Sequence, residues 1–280
     1  MTAPLLPRPD LVDTLRAAGC VFAEDEALLL VESASGPDDL ARMVALRVAG
    51  LPLEQVLGWA QFCGLRIAVE PGVFVPRRRT ELLVHEAAAH VAATRARSAG
   101  ASGMPRTVVV DLCCGSGAVA AALAAQLGAV EVHAVDIEPA AVRCARRNLA
   151  PDVGHVYEGD LDTPLPATLR GRVDVLVANA PYVPTDALDL LPPEARLHEP
   201  LSALDGGTDG LDVVHRVIEA APGWLAPGGA LLVETSERQG ARVIEAMTRG
   251  GLAARLVSDD DLGATVAIGL APERVHDPSD

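Results

Sequence analysis

The chain has 280 residues, half of them hydrophobic, and a formal net charge of −15 in which every basic residue is Arg. That length accommodates two domains and a substantial core. No apolar run approaches the ~20 residues of a membrane-spanning helix, the Pro-rich start lacks a signal-peptide pattern, and the cytoplasm is the expected compartment. The acidic balance also weighs against nucleic-acid binding, which needs a basic footprint for the phosphates.

In chain order, residues 1 to about 60 read as short helices. Asp10 and Asp13 resemble an N-cap with an acidic first turn before Leu15, and Gly19 closes the segment. A second helix is expected over 24–32 and a third from Pro37, with Leu40, Met43, Val44 and Arg47 at helical spacing. At Leu65 the pattern changes to alternation, and Pro71-Gly72 predicts a β-hairpin between 65–69 and 73–75. Arg77, Arg78 and Arg79 read as a solvated basic cluster. Thr80 is positioned to cap a helix reaching about Ala96, and residues 98–103 form a Ser/Ala/Gly linker.

Strand and helix then alternate. Strands are expected over 107–112, 131–137, 153–158, 173–178 and 230–234, with helices after the first Gly-containing turn and over 139–149, 209–224 and 240–248. The last two segments, 253–258 and 264–270, flank an acidic turn as an antiparallel pair. This order predicts an α/β fold with a mostly parallel sheet, helices on both faces and an antiparallel edge.

The chemistry concentrates at strand ends. The apolar run Val175-Leu176-Val177-Ala178 stops at Asn179-Ala180-Pro181-Tyr182, because Pro can neither continue the ladder nor tolerate a helical residue before it. Asn179 is thereby placed at the carboxyl edge of a strand, where open α/β sheets bind ligands. Asp111 ends another strand and leads into Cys113-Cys114-Gly115-Ser116-Gly117, a small-residue turn that lets a ligand approach backbone N–H groups at a helix start. Its spacing is D-x-x-x-G-x-G, with Cys113 where a first Gly would stand. Asp136 ends the next strand, suited to two ribose hydroxyls. The five cysteines form no CxxC pair and read as reduced thiols. His85 and His90 are one residue too far apart for a zinc-binding helix pair. His198 and Glu199 read as loop-ordering groups.

The set Asp111 to Gly117, Asp136, Asp160 and Asn179-Ala180-Pro181-Tyr182 resembles class I S-adenosylmethionine-dependent methyltransferases, in particular the HemK/PrmC family of protein-(glutamine N5) methyltransferases. The likeness extends over L-P-L-E-Q-V-L-G, P-G-V-F-V-P-R with Thr80-Glu81, the segment from His198 to Leu211, and Pro227-Gly228-Gly229 with Glu234 and Gln239. It implies a Rossmann-like seven-stranded sheet over residues 77–280, a helical substrate-recognition domain over 1–63 and a hairpin linker over 64–76. It further implies S-adenosyl-L-methionine as cofactor, held by Asp111, Cys113, Cys114, Gly115, Ser116, Gly117, Asp136, Asp160, Leu161 and Asn179. The implied acceptor is the Gln of a Gly-Gly-Gln motif in a peptide chain release factor. Asn179 and the Ala180 carbonyl would orient that amide, with Pro181 completing the motif and Tyr182 packing on the substrate.

The family motif reads Asn-Pro-Pro-Tyr, so Ala180 marks a divergent member, as do Arg78, Arg79 and Thr265 at positions where the family usually differs. Two alternatives stand beside this reading. One is a nucleic-acid exocyclic-amine methyltransferase, since related motifs solve the same problem there. The other is a non-catalytic protein that keeps the fold.

Overall fold

A computed structural model describes residues 9–97 and 106–273; the expected linker over 98–103 lies outside the described residues. The helical start comprises α1 (Pro9–Ala17), α2 (Ala23–Ser33), α3 (Pro37–Val48) and the short α4 (Leu53–Leu57). Leu11, Leu15, Leu30, Met43 and Val56 converge on a core of their own, as expected of amphipathic helices. Arg47 crosses that core to buried Glu26 at 2.6 Å, and its other nitrogen reaches Glu194 at 2.7 Å. The module is thereby tied to a segment about 150 residues further along the chain.

A β-hairpin follows, but not the one expected. β1 (Trp59–Phe62) pairs antiparallel with β2 (Leu65–Ala68), turning at Cys63-Gly64. Residues 73–75 form no strand, and Val73 and Val75 are instead buried. The Pro71-Gly72 signal was a genuine turn that leads out of the hairpin. The hairpin's first strand also falls within the stretch read as helical.

Then come α5 (Glu81–Arg97), β3 (Thr107–Leu112), α6 (Ala118–Leu127), β4 (Val130–Asp136), α7 (Pro139–Asn148), β5 (Gly154–Glu158) and β6 (Val173–Ala178). After 3₁₀ turns come α8 (Pro193–His198), α9 (Asp212–Ala220), β7 (Leu225–Thr235), α10 (Glu237–Arg249), β8 (Ala253–Asp259) and β9 (Ala264–Leu270). β7 begins five residues earlier than the sequence pattern implied, because the Pro-Gly-Gly stretch is absorbed as an irregularity against β6. Such bulges permit Pro and Gly within a strand.

The seven-stranded sheet has the order β5-β4-β3-β6-β7-β9-β8, parallel except for the pairs made by β9. Its fold is the Rossmann-like, class I methyltransferase architecture. Alternation along the strands divides the core. Val109, Val175, Val177 and Leu232 face α5 and α6, while Val108, Val110, Leu176 and Leu231 face α9 and α10. A strand apolar on both faces has to be covered on both, which is why the helices pack on either side. The chain runs outward from β3 to β5 and then returns to place β6 on the other side of β3. That reversal opens a crevice beyond the carboxyl ends of β3 and β6, where Leu112 pairs with Ala178.

Candidate active site

Two cavities occupy this crevice and meet at Asn179. The first, about 290 Å³, is walled by the turn after β3, the end of β4, and Asp160 and Leu161. The second, about 390 Å³, opens on the other side of Asn179 and reaches Arg77, Arg79, Ala180, Tyr182 and Glu199. Phe74, Asn179 and Ala203 belong to both.

The first cavity is built by β4 holding the turn after β3. Cys114 N–H donates to the Val135 carbonyl at 3.0 Å, and Gly115 N–H donates to Asp136 Oδ2 at 2.8 Å. Asp136 Oδ1 accepts from Glu138 N–H at 2.9 Å. Each carboxylate oxygen keeps a lone pair beyond these bonds. Cys113 takes a left-handed conformation, φ 58°, at the position where a Gly would be strain-free. Leu161 does the same at φ 48° and is buried in the wall. Asp160 pairs with Arg216 at 2.7 Å, and Ser202 Oγ donates to Glu138 Oε1 at 2.6 Å. Acceptors for hydroxyls at one end, apolar walls from Phe74, Val135 and Leu161, and a small-residue turn at a helix start fit an adenosine bearing an amino-acid tail.

Asp111, Cys113, Cys114, Gly115, Ser116, Asp136, Asp160, Leu161, Asn179 and Pro181 all line this cavity. Gly117 does not. It precedes α6 at φ 75°, and a side chain there would meet Ala145 at 3.0 Å, so its part is to let α6 and α7 approach. Ala180 and Tyr182 face the second cavity. Sequence reasoning overlooked Phe74, Glu138, Ser202 and Arg216 as individual contributors. Phe74 had a usable signal, being one of only three Phe in the chain and set beside a turn.

Burial raises the carboxyl of Asp111 to about 8, Asp136 adds to the rise, and the bond from Ala120 N–H opposes it. The folded-state pKa lies above the ordinary 3.8. The stability this group contributes is therefore fully present below about pH 4 and lost as pH rises to about 8. Asp111→Asn keeps an acceptor for Ala120 and removes the charge. Its melting temperature should exceed that of the parent by a margin that widens between about pH 5 and pH 8 and then levels off. A constant margin in thermal melts across that range would contradict this assignment.

In the second cavity the basic cluster is only partly solvated: Arg78 and Arg79 are exposed, but Arg77 and Arg79 are paired. Arg77 Nη2 pairs at 2.5 Å with Glu199, whose side chain is fully buried, and Arg79 Nε pairs with Glu234 at 3.3 Å. A charge run in sequence reads as surface because its partners, over 100 residues away, are invisible there. Glu199 also accepts from Val75 N–H at 3.2 Å, clasping the 73–77 segment to the loop after α8. Its Oε2 has no hydrogen-bond partner among the described residues. Thr80 does not cap α5. It lies in a 3₁₀ turn, and its hydroxyl accepts from Asn179 Nδ2 at 3.3 Å. The Tyr182 phenol is pushed up to about 12 by burial and by Glu234, so it keeps its proton at neutral pH. Burial also raises the Cys113 and Cys114 thiols, which removes them as nucleophiles.

The two segments peculiar to the resemblance brace the motif. Gln239 Nε2 donates to the Tyr182 carbonyl at 3.0 Å and to the Asp209 carbonyl at 3.2 Å. Gly206 N–H donates to the Val183 carbonyl at 2.9 Å.

A doubly wound sheet whose switch point carries this acid-tipped turn beside a second, motif-lined cavity defines a class I methyltransferase that uses S-adenosyl-L-methionine. A methyltransferase-domain family model matches residues 109–197. The release factor glutamine methyltransferase of Geobacter sulfurreducens is 39% identical, over 83% of this chain and 78% of that protein. That of Mycolicibacterium smegmatis is 38% identical, over 85% and 86%. A 4-amino-L-phenylalanine/4-methylamino-L-phenylalanine methyltransferase of Streptomyces pristinaespiralis is 38% identical, over 71% and 66%. Among solved structures, the hMettl16 catalytic domain shares the fold with a TM-score of 0.55 at 14% identity, over 82% of this chain and 81% of that one. The chain belongs to the release factor glutamine methyltransferase family. Among its described residues no helix is long and apolar enough to cross a membrane.

Proposed function

We propose that this protein methylates the side-chain amide nitrogen of a protein glutamine, the Gln of a Gly-Gly-Gln motif in a peptide chain release factor, in the cytoplasm. The observation that carries the reading is Asn179, set at the junction of the two cavities with its NH₂ spent on Thr80. Its Oδ1 is thereby left as an acceptor. When bound in the first cavity, S-adenosyl-L-methionine supplies an electrophilic methyl on a sulfonium. Asp136 would hold the ribose hydroxyls, the turn from Cys113 to Gly117 the methionine part, and Asp160 with Leu161 the adenine side.

The acceptor enters from the second cavity. A glutamine nitrogen is a weak nucleophile because its lone pair is delocalised into the carbonyl. Asn179 Oδ1 and the Ala180 carbonyl accept its two N–H bonds, aim the lone pair and stabilise the positive charge developing on nitrogen. The nitrogen becomes acidic only once the new N–C bond forms, and its proton then leaves to solvent, so no strong base is required. Tyr182, held as a phenol, packs against the planar amide.

The helical module would engage the protein substrate. It is anchored beside the acceptor cavity by Arg47 on Glu194 and by Gln55 Nε2 on the Val73 carbonyl at 3.1 Å. Domain boundaries near residues 63 and 76 belong to the same reading.

Incubation with labelled S-adenosyl-L-methionine and release factor should label the Gln-bearing factor and leave its Gln→Ala form unlabelled. Label on both forms would refute the acceptor assignment. Parallel reactions with 4-amino-L-phenylalanine and with DNA or RNA should remain unlabelled. The first covers the acceptor named for the Streptomyces relative, the second the exocyclic-amine alternative.

A further inference from the structure

The turn after β3 cannot hold its shape alone. Cys113, Gly115 and Gly117 all take left-handed conformations, at φ 58°, 54° and 75°, and a backbone so contorted persists only where its surroundings over-determine it. β4 fixes the first half, through the bonds from Cys114 N–H to Val135 and from Gly115 N–H to Asp136. The second half is fixed from α7. Asn148, the last residue of that helix, donates from Nδ2 to the Ser116 carbonyl at 2.8 Å.

The rest of the Asn148 amide is spent on the hairpin. Nδ2 also donates to the Ala68 carbonyl at 2.9 Å, and Oδ1 accepts from Ala68 N–H at 2.8 Å. β2 pairs with β1 alone, so Asn148 satisfies the backbone on its open edge as a neighbouring strand would. Two carbonyls at one end of the amide and an N–H at the other permit a single orientation of it. The close approach this needs is the one Gly117 allows, with Ala145 3.0 Å from where a Cβ would stand. One side chain therefore clamps the cofactor turn and the hairpin together, and it does so without lining either cavity.

We propose that Asn148 is a positioning residue for the methionine part of S-adenosyl-L-methionine: it holds the Ser116 end of the turn against the hairpin and makes that hairpin part of the cofactor site. This rests on the placement of the methionine part at the turn given above. The same reading gives the ribose and adenine side to Asp136, Leu161 and the Asp160–Arg216 pair, none of which Asn148 touches. Loosening the turn should therefore weaken one half of the cofactor's contacts and spare the other.

The test uses the full chain carrying Asn148→Asp or Asn148→Ala. The first keeps the bond from Ala68 N–H, loses both donations and sets a carboxylate against two carbonyls; the second removes all three bonds without adding a charge. Calorimetry with S-adenosyl-L-methionine and with methylthioadenosine, the cofactor without its amino-acid part, separates the two halves of the site. Either variant should raise the Kd of the first ligand about tenfold, the scale of one or two hydrogen bonds, and that of the second less than about twofold. No loss overturns the proposal, and so do equal losses for both ligands, which would make the role structural. Arg147→Ala cuts a neighbouring clasp to the hairpin, the 2.6 Å pair with Glu70, and should leave both Kd values unchanged. A selective loss there would take the assignment away from the Ser116 bond. In the ligand-free protein the Gly117 amide is bonded to the Cys114 carbonyl at 2.7 Å. Its hydrogen exchange should run about fivefold faster in the Asn148 variants while amides of β3 keep their rates, and unchanged Gly117 exchange overturns the proposal. Methylthioadenosine binding the wild type as tightly as S-adenosyl-L-methionine would defeat the placement of the methionine part, while Gly117 exchange would still decide whether Asn148 holds the turn.

Discussion

Asn179→Ala is expected to lower kcat for methyl transfer by about 10³-fold while raising the cofactor Kd less than about tenfold. Asn179 stands at the one place where the two cavities share a hydrogen-bonding side chain. Removing a single oriented acceptor for developing charge in a water-excluded site costs about 10²- to 10³-fold, and the loss of amide aim adds to that. The cofactor cavity keeps Asp136, the turn after β3 and the Asp160–Arg216 pair, so its affinity should change little. Calorimetry for the cofactor and single-turnover labelling of release factor separate the two quantities. A variant that labels at the parental rate would remove Asn179 from the mechanism.

Gly210→Ala is expected to cost about 3 kcal/mol or more of stability and to reduce kcat at least tenfold. Gly210 has φ 75°, and a side chain in the left-handed region costs ~1–2 kcal/mol on its own. The larger effect is steric. A Cβ here would lie inside van der Waals contact of the Tyr182 carbonyl and 2.5 Å from Gln239 Nε2, and overpacking of this kind adds ~1–3 kcal/mol. Either the loop carrying Gly210 or the Tyr182 carbonyl must then move, and the Gln239 bridge between them is lost. Urea unfolding reads the stability and methyl transfer reads the motif. Parental values in both would show that the loop yields without disturbing Tyr182.

Gly210 illustrates how much of the site is legible before the fold. The segment from His198 to Leu211 is recognisable as part of the family pattern, but nothing in its residues says that its glycines exist to pass a backbone carbonyl. Thr80 is the reverse case. Its position before an Ala-rich helix predicts a cap by local rules, and the fold overrides them with a partner 99 residues away. Arg77 and Arg79 were misread for the same reason, since Glu199 and Glu234 are brought to them only by folding.

The sequence by itself determined the sheet class and where its polar strand-end residues fall. Apolar strands, Gly turns and polar residues near strand termini are local patterns with periods of two or 3.6 residues, and Asp111, Asp136 and Asn179 each announce themselves at or beside the carboxyl end of one. Only the tertiary structure decided how those ends combine. The return of β6 beside β3 places two cavities back to back at Asn179. Hydrogen-bond direction and the desolvation of a carboxylate depend on which groups face each other across the crevice, and that is set by topology rather than by neighbours in the chain.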